Sequence, residues 1–270
     1  MDKIDRYRHK ETGVAWNVTA TIYERDEEND IALLRSGGNS LLSSEHRFLH
    51  SLQTWCGCAI HLQCAGGTDT LSLWKMGAAE VVGVDISEKM ITVAQRKSTA
   101  LCAPARWYCC DVLDTPHELD STADLVYTGK GALPWIMDIQ AWAGVVARLL
   151  KPGRKLYVFE GHPLDWVWDM EATTYQMSSR TGNYFSEAVV TDRGWPLFSD
   201  PIQEHANKDQ FHVHERQWML GEIMNSLVAM GMCLERFEEY PDLFWNQFPH
   251  LPAELLGRLP HTFSLLMRKA

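Results

Sequence analysis

Between residues 59 and 160, short apolar runs alternate with segments whose apolar residues return every three or four positions. The runs predict strands over 59–62, 81–85, 106–110, 125–128 and 155–160. The segments between them predict helices over 70–76, 88–101 and 139–150. Gly77 stops the first helix, Ser87 is placed to cap the second, and Lys151-Pro152-Gly153 closes the third. Apolar strands alternating with amphipathic helices form βαβ units, and such units build a parallel sheet covered on both faces.

The flanking regions follow other patterns. Residues 1–54 read as a polar, mostly helical lead-in, with one helix opening at 16–23 and another over 44–52. Residues 162–213 are rich in Asp, Trp, Tyr and Ser and keep no clear period. They read as an inserted lid with some antiparallel strand near 184–190. A helix over 215–230 ends at Gly231, and strands over 232–239 and 262–268 pair to finish the sheet. The long turn between them carries Phe244, Trp245 and Phe248. The expectation is one α/β domain with a doubly wound, seven-stranded, mostly parallel sheet. Its parts are an N-terminal helical lid (1–54), a core (55–160), a substrate lid (162–213) and a closing unit (214–270).

Composition narrows the partners. A chain of 270 residues fits one large domain. The net charge is −10 and Lys and Arg are scattered, which argues against nucleic acid. The apolar runs are too short to span a bilayer, and the first residues hold no apolar signal segment. The seven cysteines form no CxxC and no zinc spacing, so they read as reduced thiols in a cytoplasmic protein, and no metal is expected. Eleven tryptophans offer both core and a wall for a flat or cationic small molecule. The expected partners are thus a small-molecule substrate and at most a second copy of the chain as a homodimer.

In a doubly wound sheet, ligands sit outside the carboxyl ends of the strands where strand order reverses. Four segments fall there: the loop His61-Leu62-Gln63-Cys64-Ala65-Gly66-Gly67-Thr68-Asp69-Thr70, then Asp85-Ile86, then Asp111-Val112, then Thr128-Gly129-Lys130. Asp85 follows Gly67 by 18 residues, near the spacing at which an acid accepts both hydroxyls of a ribose. The loop lacks G-x-G-x-x-G and places Asp69 in the first helical turn, where it repels a phosphate. S-adenosylmethionine carries a ribose but no phosphate. Asp111 can accept from its adenine while Ile86 and Val112 pack on the ring.

These residues resemble the class I S-adenosylmethionine-dependent methyltransferases, closely over residues 55–160 and more loosely over 214–270. The family's loop reads acid-x-Gly-x-Gly-x-Gly. Here His61 stands at the acid, Gln63 and Ala65 at the first two glycines, and Gly67 at the third. Leu149-Leu150-Lys151-Pro152-Gly153 resembles the family's turn before the fifth strand. His-Leu-Gln-Cys before a glycine is similar to a bacterial small-molecule branch with a substituted loop. The resemblance implies a Rossmann-like sheet whose last strand is antiparallel, S-adenosylmethionine as cofactor, and His61 as a neutral imidazole acceptor. The cofactor-binding candidates are His61, Gln63, Ala65, Gly67, Asp85, Ile86, Asp111, Val112, Thr128 and Gly129.

Methyl transfer from a sulfonium is an in-line displacement, so acceptor alignment and water exclusion matter most. The catalytic candidates are His162, after the fifth strand, and His214 as base or positioning residues, and Tyr23 as a residue that caps the cofactor from a lid helix. Trp16, Lys130, Trp166 and Trp218 are substrate-binding candidates. No Asn/Asp-Pro-Pro-Tyr/Phe motif follows the fourth strand, in keeping with the charge argument against nucleic acid. The expected reaction is methyl transfer to N or O of a small metabolite. Alternatives are transfer to sulfur, a halide or arsenic, a nicotinamide-dependent oxidoreductase, and a non-enzymatic cofactor-binding scaffold.

Overall fold

A computed structural model describes residues 2–192, 201, 204 and 208–270. The lead-in holds α1 (Lys3–Arg25), α2 (Glu27–Arg35) and a short α3 (Ser43–His46). The core follows as β1 (Cys58–Leu62), α4 (Thr68–Lys75), β2 (Glu80–Asp85), α5 (Glu88–Leu101), β3 (Ala105–Cys109), β4 (Ala123–Gly129), α6 (Ile139–Leu149) and β5 (Leu150–Gly161). A small hairpin of β6 (Val189–Asp192) and β7 (Val213–Arg216) comes next. Then come α7 (Leu220–Ala229), β8 (Met232–Tyr240), a one-turn α8 (Ala253–Leu256) and β9 (Thr262–Lys269).

The seven-stranded sheet has the order β3-β2-β1-β4-β5-β9-β8. Strands β1 to β5 are parallel, and β9 runs antiparallel to both β5 and β8. Strand order therefore reverses between β1 and β4, which opens a crevice at their carboxyl ends. Alternation along the strands supplies both faces. Ile60, Leu62, Val82 and Val84 pack with Trp142, Val146 and Leu149 of α6 on one side. Ala59, Val81, Leu125, Tyr127 and Tyr157 pack with Leu71 and Leu73 of α4, and with Leu34 and Leu49, on the other.

The caps explain where the helices begin. Ser87 Oγ accepts the Met90 N–H and Asp138 Oδ1 accepts the Ala141 N–H, and each satisfies a donor that a helix N-terminus leaves orphaned.

Four expectations are corrected. The N-terminal helix is one 23-residue element, far longer than 16–23, because it spans the sheet end and is tied down along its length. The helix over 44–52 reduces to α3 and a 3₁₀ turn at Leu52–Thr54. Glu215 is not helical: the extended pairing of β7 with β6 holds it, and α7 starts at Leu220. The strand near 184–190 is displaced to Val189–Asp192, paired with Val213–Arg216. Positions 193–200, 202–203 and 205–207 of the expected lid lie outside the described residues.

Candidate functional site

The loop between β1 and α4 turns on three left-handed residues, Gln63 (φ 58°), Ala65 (φ 43°) and Gly67 (φ 78°). They stand where the resemblance placed three glycines, so the glycine-type backbone survives with two side chains added. Asp85, at the tip of β2, accepts the Ala65 N–H (2.8 Å) at one oxygen and the Ser87 N–H (2.9 Å) at the other. Its carboxylate thereby fixes the loop, and each oxygen keeps a lone pair for a further donor. Burial nevertheless pushes the Asp85 carboxyl up to about 6, against the stabilising backbone N–H groups. Gln63 donates to the Ala132 carbonyl (2.7 Å), and its Oε1 is buried without a partner.

Gly67 also has a packing reason. A Cβ there would lie 2.6 Å from Ala94 Cβ and from Trp107, so the glycine serves helix–strand packing. Gly66 is overlaid by Tyr23, whose Cδ1 would come within 3.0 Å of an added Cβ. Burial, then the charges of Asp85, Asp69 and Asp30, raises the Tyr23 phenol well above its ordinary range. Tyr23 is thus a cap over the loop and a poor base near neutral pH. Burial pushes the His61 imidazole down to about 4, and its Nδ1 shares a hydrogen bond with the Thr70 hydroxyl (2.8 Å). The imidazole is therefore neutral near neutral pH.

At the tip of β3, Asp111 accepts the Leu113 N–H (2.9 Å) and bonds His9 Nδ1 of α1 (2.7 Å). His9 Nε2 accepts the Met137 N–H (3.0 Å), so its proton resides on Nδ1. Burial works to raise the Asp111 carboxyl, yet the His9 bond, the Leu113 N–H and Arg6 together hold it below the ordinary range.

Past β4, Lys130 (φ 58°) reaches Asp69 (2.9 Å), Glu45 (3.4 Å) and the Ser40 carbonyl (3.1 Å). Glu160, buried at the end of β5, gathers the N–H groups of Gly131, Ala132, Leu133 and Gly161. Its carboxylate thus shapes the whole turn after β4.

These groups line a cavity of about 810 Å³ at the carboxyl end of the sheet. Trp16, Tyr23, His61, Gln63, Ala65, Gly67, Asp85, Ile86, Asp111, Val112, Gly129, Lys130, His162 and Trp166 all border it. The structure does not bring Thr128, His214 or Trp218 there. Thr128 is buried under the sheet surface with its hydroxyl on the Leu62 carbonyl. His214 is buried beside α1 between Glu11 (2.9 Å) and Thr191 (2.9 Å). Trp218 packs in the core with its indole N–H on the Ile136 carbonyl and Arg216 over its ring.

His162 does border the cavity, but both its nitrogens are committed. Nδ1 accepts the Leu164 N–H (3.0 Å), so Nε2 donates to Glu239 (3.0 Å). No ring nitrogen is left to take a proton from an acceptor.

Sequence reasoning missed the neighbouring Asp165. It borders the cavity, bonds His261 (2.6 Å) and Gln247, and its position one residue before Trp166 was the available signal. Among the described residues no group of three or more His, Cys, Asp or Glu could hold a metal ion. None of their helices is long and apolar enough to cross a membrane.

Residues 59–153 match a family model described as a methyltransferase domain. No curated protein matches the chain. Among solved structures, an S-adenosylmethionine-dependent methyltransferase from Mesorhizobium loti is similar at 22% identity and a TM-score of 0.60, covering 84% of this chain and 96% of that one. One from Clostridium acetobutylicum is similar at 13% identity and a TM-score of 0.60, covering 92% and 99%. Geranyl diphosphate C-methyltransferase from Streptomyces coelicolor A3(2), bound to S-adenosyl-L-homocysteine, is similar at 13% identity and a TM-score of 0.57, covering 84% and 76%. The matched domain and the order of the seven strands agree: residues 59–153 form a methyltransferase domain, and the sheet has the Rossmann-like fold of the S-adenosylmethionine-dependent methyltransferases to which the chain is similar.

Proposed function

We propose that this enzyme moves the methyl group of S-adenosylmethionine to nitrogen or oxygen of a small organic acceptor bound over the tips of β4 and β5. The observation that carries the reading is one continuous cavity that begins at Asp85 and Asp111 and ends at Asp165, Trp166 and the 244–249 loop. In this reading the free lone pairs of Asp85 hold the ribose hydroxyls. Asp111 takes the adenine amino group, and Ile86 and Val112 cover the ring. The left-handed loop and neutral His61 receive the methionine end, with the unpartnered Gln63 Oε1 as a near acceptor. Bound there, the sulfonium supplies an electrophilic methyl group. The protein's own contribution is to aim the acceptor along the S–C axis and to exclude water. α1, with Trp16 and Tyr23, and the 162–213 segment act as covers. The seven free thiols suit a cytoplasmic setting.

The diphosphate acceptor of the Streptomyces neighbour suits this cavity poorly. Lys130 is the one Lys or Arg among its described lining residues, and Asp69 and Glu45 already neutralise it. Thiolate-held arsenic also fits poorly, because burial raises the Cys64 thiol well above its ordinary value and pushes Cys110 up to about 12.

Isothermal titration with S-adenosylmethionine and S-adenosylhomocysteine tests the proposal. Wild type should bind both and Asp85→Ala neither. A wild-type chain that binds neither would overturn it.

A further inference from the structure

The acceptor end of the cavity holds a chain of titratable groups, Asp165 and His261 buried and Tyr175 half-buried, that the cofactor end does not use. Asp165 borders the cavity with 5% of its surface exposed, and His261 behind it is fully buried. Asp165 Oδ1 meets His261 Nδ1 at 2.6 Å, and Gln247 Nε2 donates to the other carboxylate oxygen. On the far side, His261 Nε2 lies 3.0 Å from the Tyr175 hydroxyl, which also lies 3.0 Å from the Leu255 carbonyl.

Counting protons shows what this chain can do. Tyr175 has one hydroxyl proton and two neighbours that can take it. If it donates to His261 Nε2, the imidazole is neutral, its proton is on Nδ1, and Asp165 is a carboxylate. If it turns to the Leu255 carbonyl, its oxygen accepts from Nε2–H, and the Asp165–His261 pair holds one more proton. Rotation of a single hydroxyl therefore accommodates the uptake of a proton with no buried donor or acceptor left unpaired.

The surroundings favour a cationic guest. The described cavity lining carries eight Asp and Glu side chains against one lysine, which is already paired. Around Asp165 the other titratable groups are His162, locked in its neutral form on Glu239, and Glu160, capped by backbone N–H groups. Glu171, near the rim, pairs with His250. Trp166, Phe244 and Trp245 supply aromatic wall on the same side, suited to a flat apolar body and to cation–π contact.

Resting on the methyltransferase reading above, we propose that the acceptor is a small amine with a flat apolar part, and that Asp165 binds its ammonium group and takes its proton. Asp165 is then the catalytic residue, and His261, Tyr175 and Gln247 are positioning residues. The step balances as follows. An N–H bond of the ammonium breaks, and its proton passes to a carboxylate oxygen of Asp165, which His261 Nδ1 and Gln247 Nε2 hold in place. The freed nitrogen lone pair forms the new N–C bond while the S–C bond breaks and its electron pair stays on sulfur. The pair later returns its proton to solvent. Burial pushes the Asp165 carboxyl up to about 6, despite its bonds to His261 and Gln247.

The test uses the full chain saturated with S-adenosylhomocysteine for binding and with S-adenosylmethionine for turnover. The probes are phenethylamine, tryptamine and histamine, each beside its alcohol and carboxylic acid counterpart. Tryptophan fluorescence should report binding of the amines and not of the matched alcohols or acids. Asp165→Asn preserves shape and bonding, since its amide can donate to His261 Nδ1 and accept from Gln247. It should bind cofactor as wild type does but weaken amine binding about tenfold or more. Turnover of the amine at saturating cofactor should rise as pH increases through about 6 in wild type and lose that limb in Asp165→Asn. Tyr175→Phe should displace the limb while leaving amine affinity nearly unchanged. The proposal is overturned if alcohols or acids bind as well as amines, if no amine binds to cofactor-saturated protein, or if Asp165→Asn leaves both readouts unchanged. Failure to bind the cofactor itself would instead strike the methyltransferase reading.

Discussion

Gln63, Ala65 and Gly67 share a left-handed backbone, but only one of them is a glycine. An L-residue in that region costs roughly 1–2 kcal/mol, part of which a glycine returns as unfolded-state entropy. Ala65→Gly should therefore raise the unfolding free energy by about 0.5 kcal/mol. Gly67→Ala, which adds a methyl 2.6 Å from Ala94 and Trp107, should lower it by about 2–4 kcal/mol. Urea denaturation of the two variants beside wild type checks both signs.

Asp85 sets a pH dependence at the same scale. Its carboxyl is raised to about 6 in the folded chain. A carboxyl raised on folding stabilises the fold below its ordinary range, and that contribution is lost as pH rises through about 6. Ribose hydroxyls donate best to the ionised form, so cofactor affinity should run the other way. It should weaken as pH falls from 8 to 5, as titration at fixed ionic strength would reveal. The presence of Asp85 at a strand tip was legible from its spacing after Gly67. Its bonds to Ala65 and Ser87 were not, because they depend on how the loop closes.

Among the elements, α1 departs most from its sequence reading. A helix was expected, but not one fastened across the carboxyl end of the sheet. His9 binds Asp111 and Met137, Asn17 accepts from Ser87, and Thr12 accepts the His214 N–H. A Cβ at Gly13 would come within 3.1 Å of Ile86. The helix is thus part of the cavity wall beside Ile86 and Asp111. His9→Ala leaves Asp111 and the Met137 N–H without their partner and should weaken cofactor binding about tenfold. His214→Ala loosens the same helix away from the cavity and should cost stability with little change in cofactor affinity. Calorimetric titration and thermal melts of the two variants separate these effects. α5, by contrast, was readable to its ends, because Ser87 caps it locally and its apolar face repeats with helical period. β7 was misread because its strand character comes from pairing with β6 more than 20 residues away, which no local pattern encodes.

For the whole molecule, the cavity couples binding to stability. Its floor is the sheet, its wall is the lead-in, and its acceptor end is closed by segments from both sides of β9. A ligand that binds this assembled state and not the unfolded chain adds about 2.7 kcal/mol at a hundredfold excess over its Kd. For a chain of this size, that should raise the melting temperature by roughly 5–10 °C. Differential scanning calorimetry with S-adenosylhomocysteine should show that shift in wild type and lose it in Asp85→Ala.

The sequence by itself determined the succession of strands and helices, the parallel sheet with its antiparallel close, and the acids at the tips of β2 and β3. Period and capping are properties of neighbouring residues, and strand order then places the tips. Tertiary structure alone decided which side chains meet. Asp165 finds His261 across 96 residues and His9 finds Asp111 across 102, while Lys130 is claimed by Asp69 and Glu45 and His162 by Glu239. Such pairings are set by where the folded chain returns and by the cost of burying a polar group without a partner. That cost turned one expected base into a structural histidine and set the Asp165 carboxylate against buried His261 at the cavity wall.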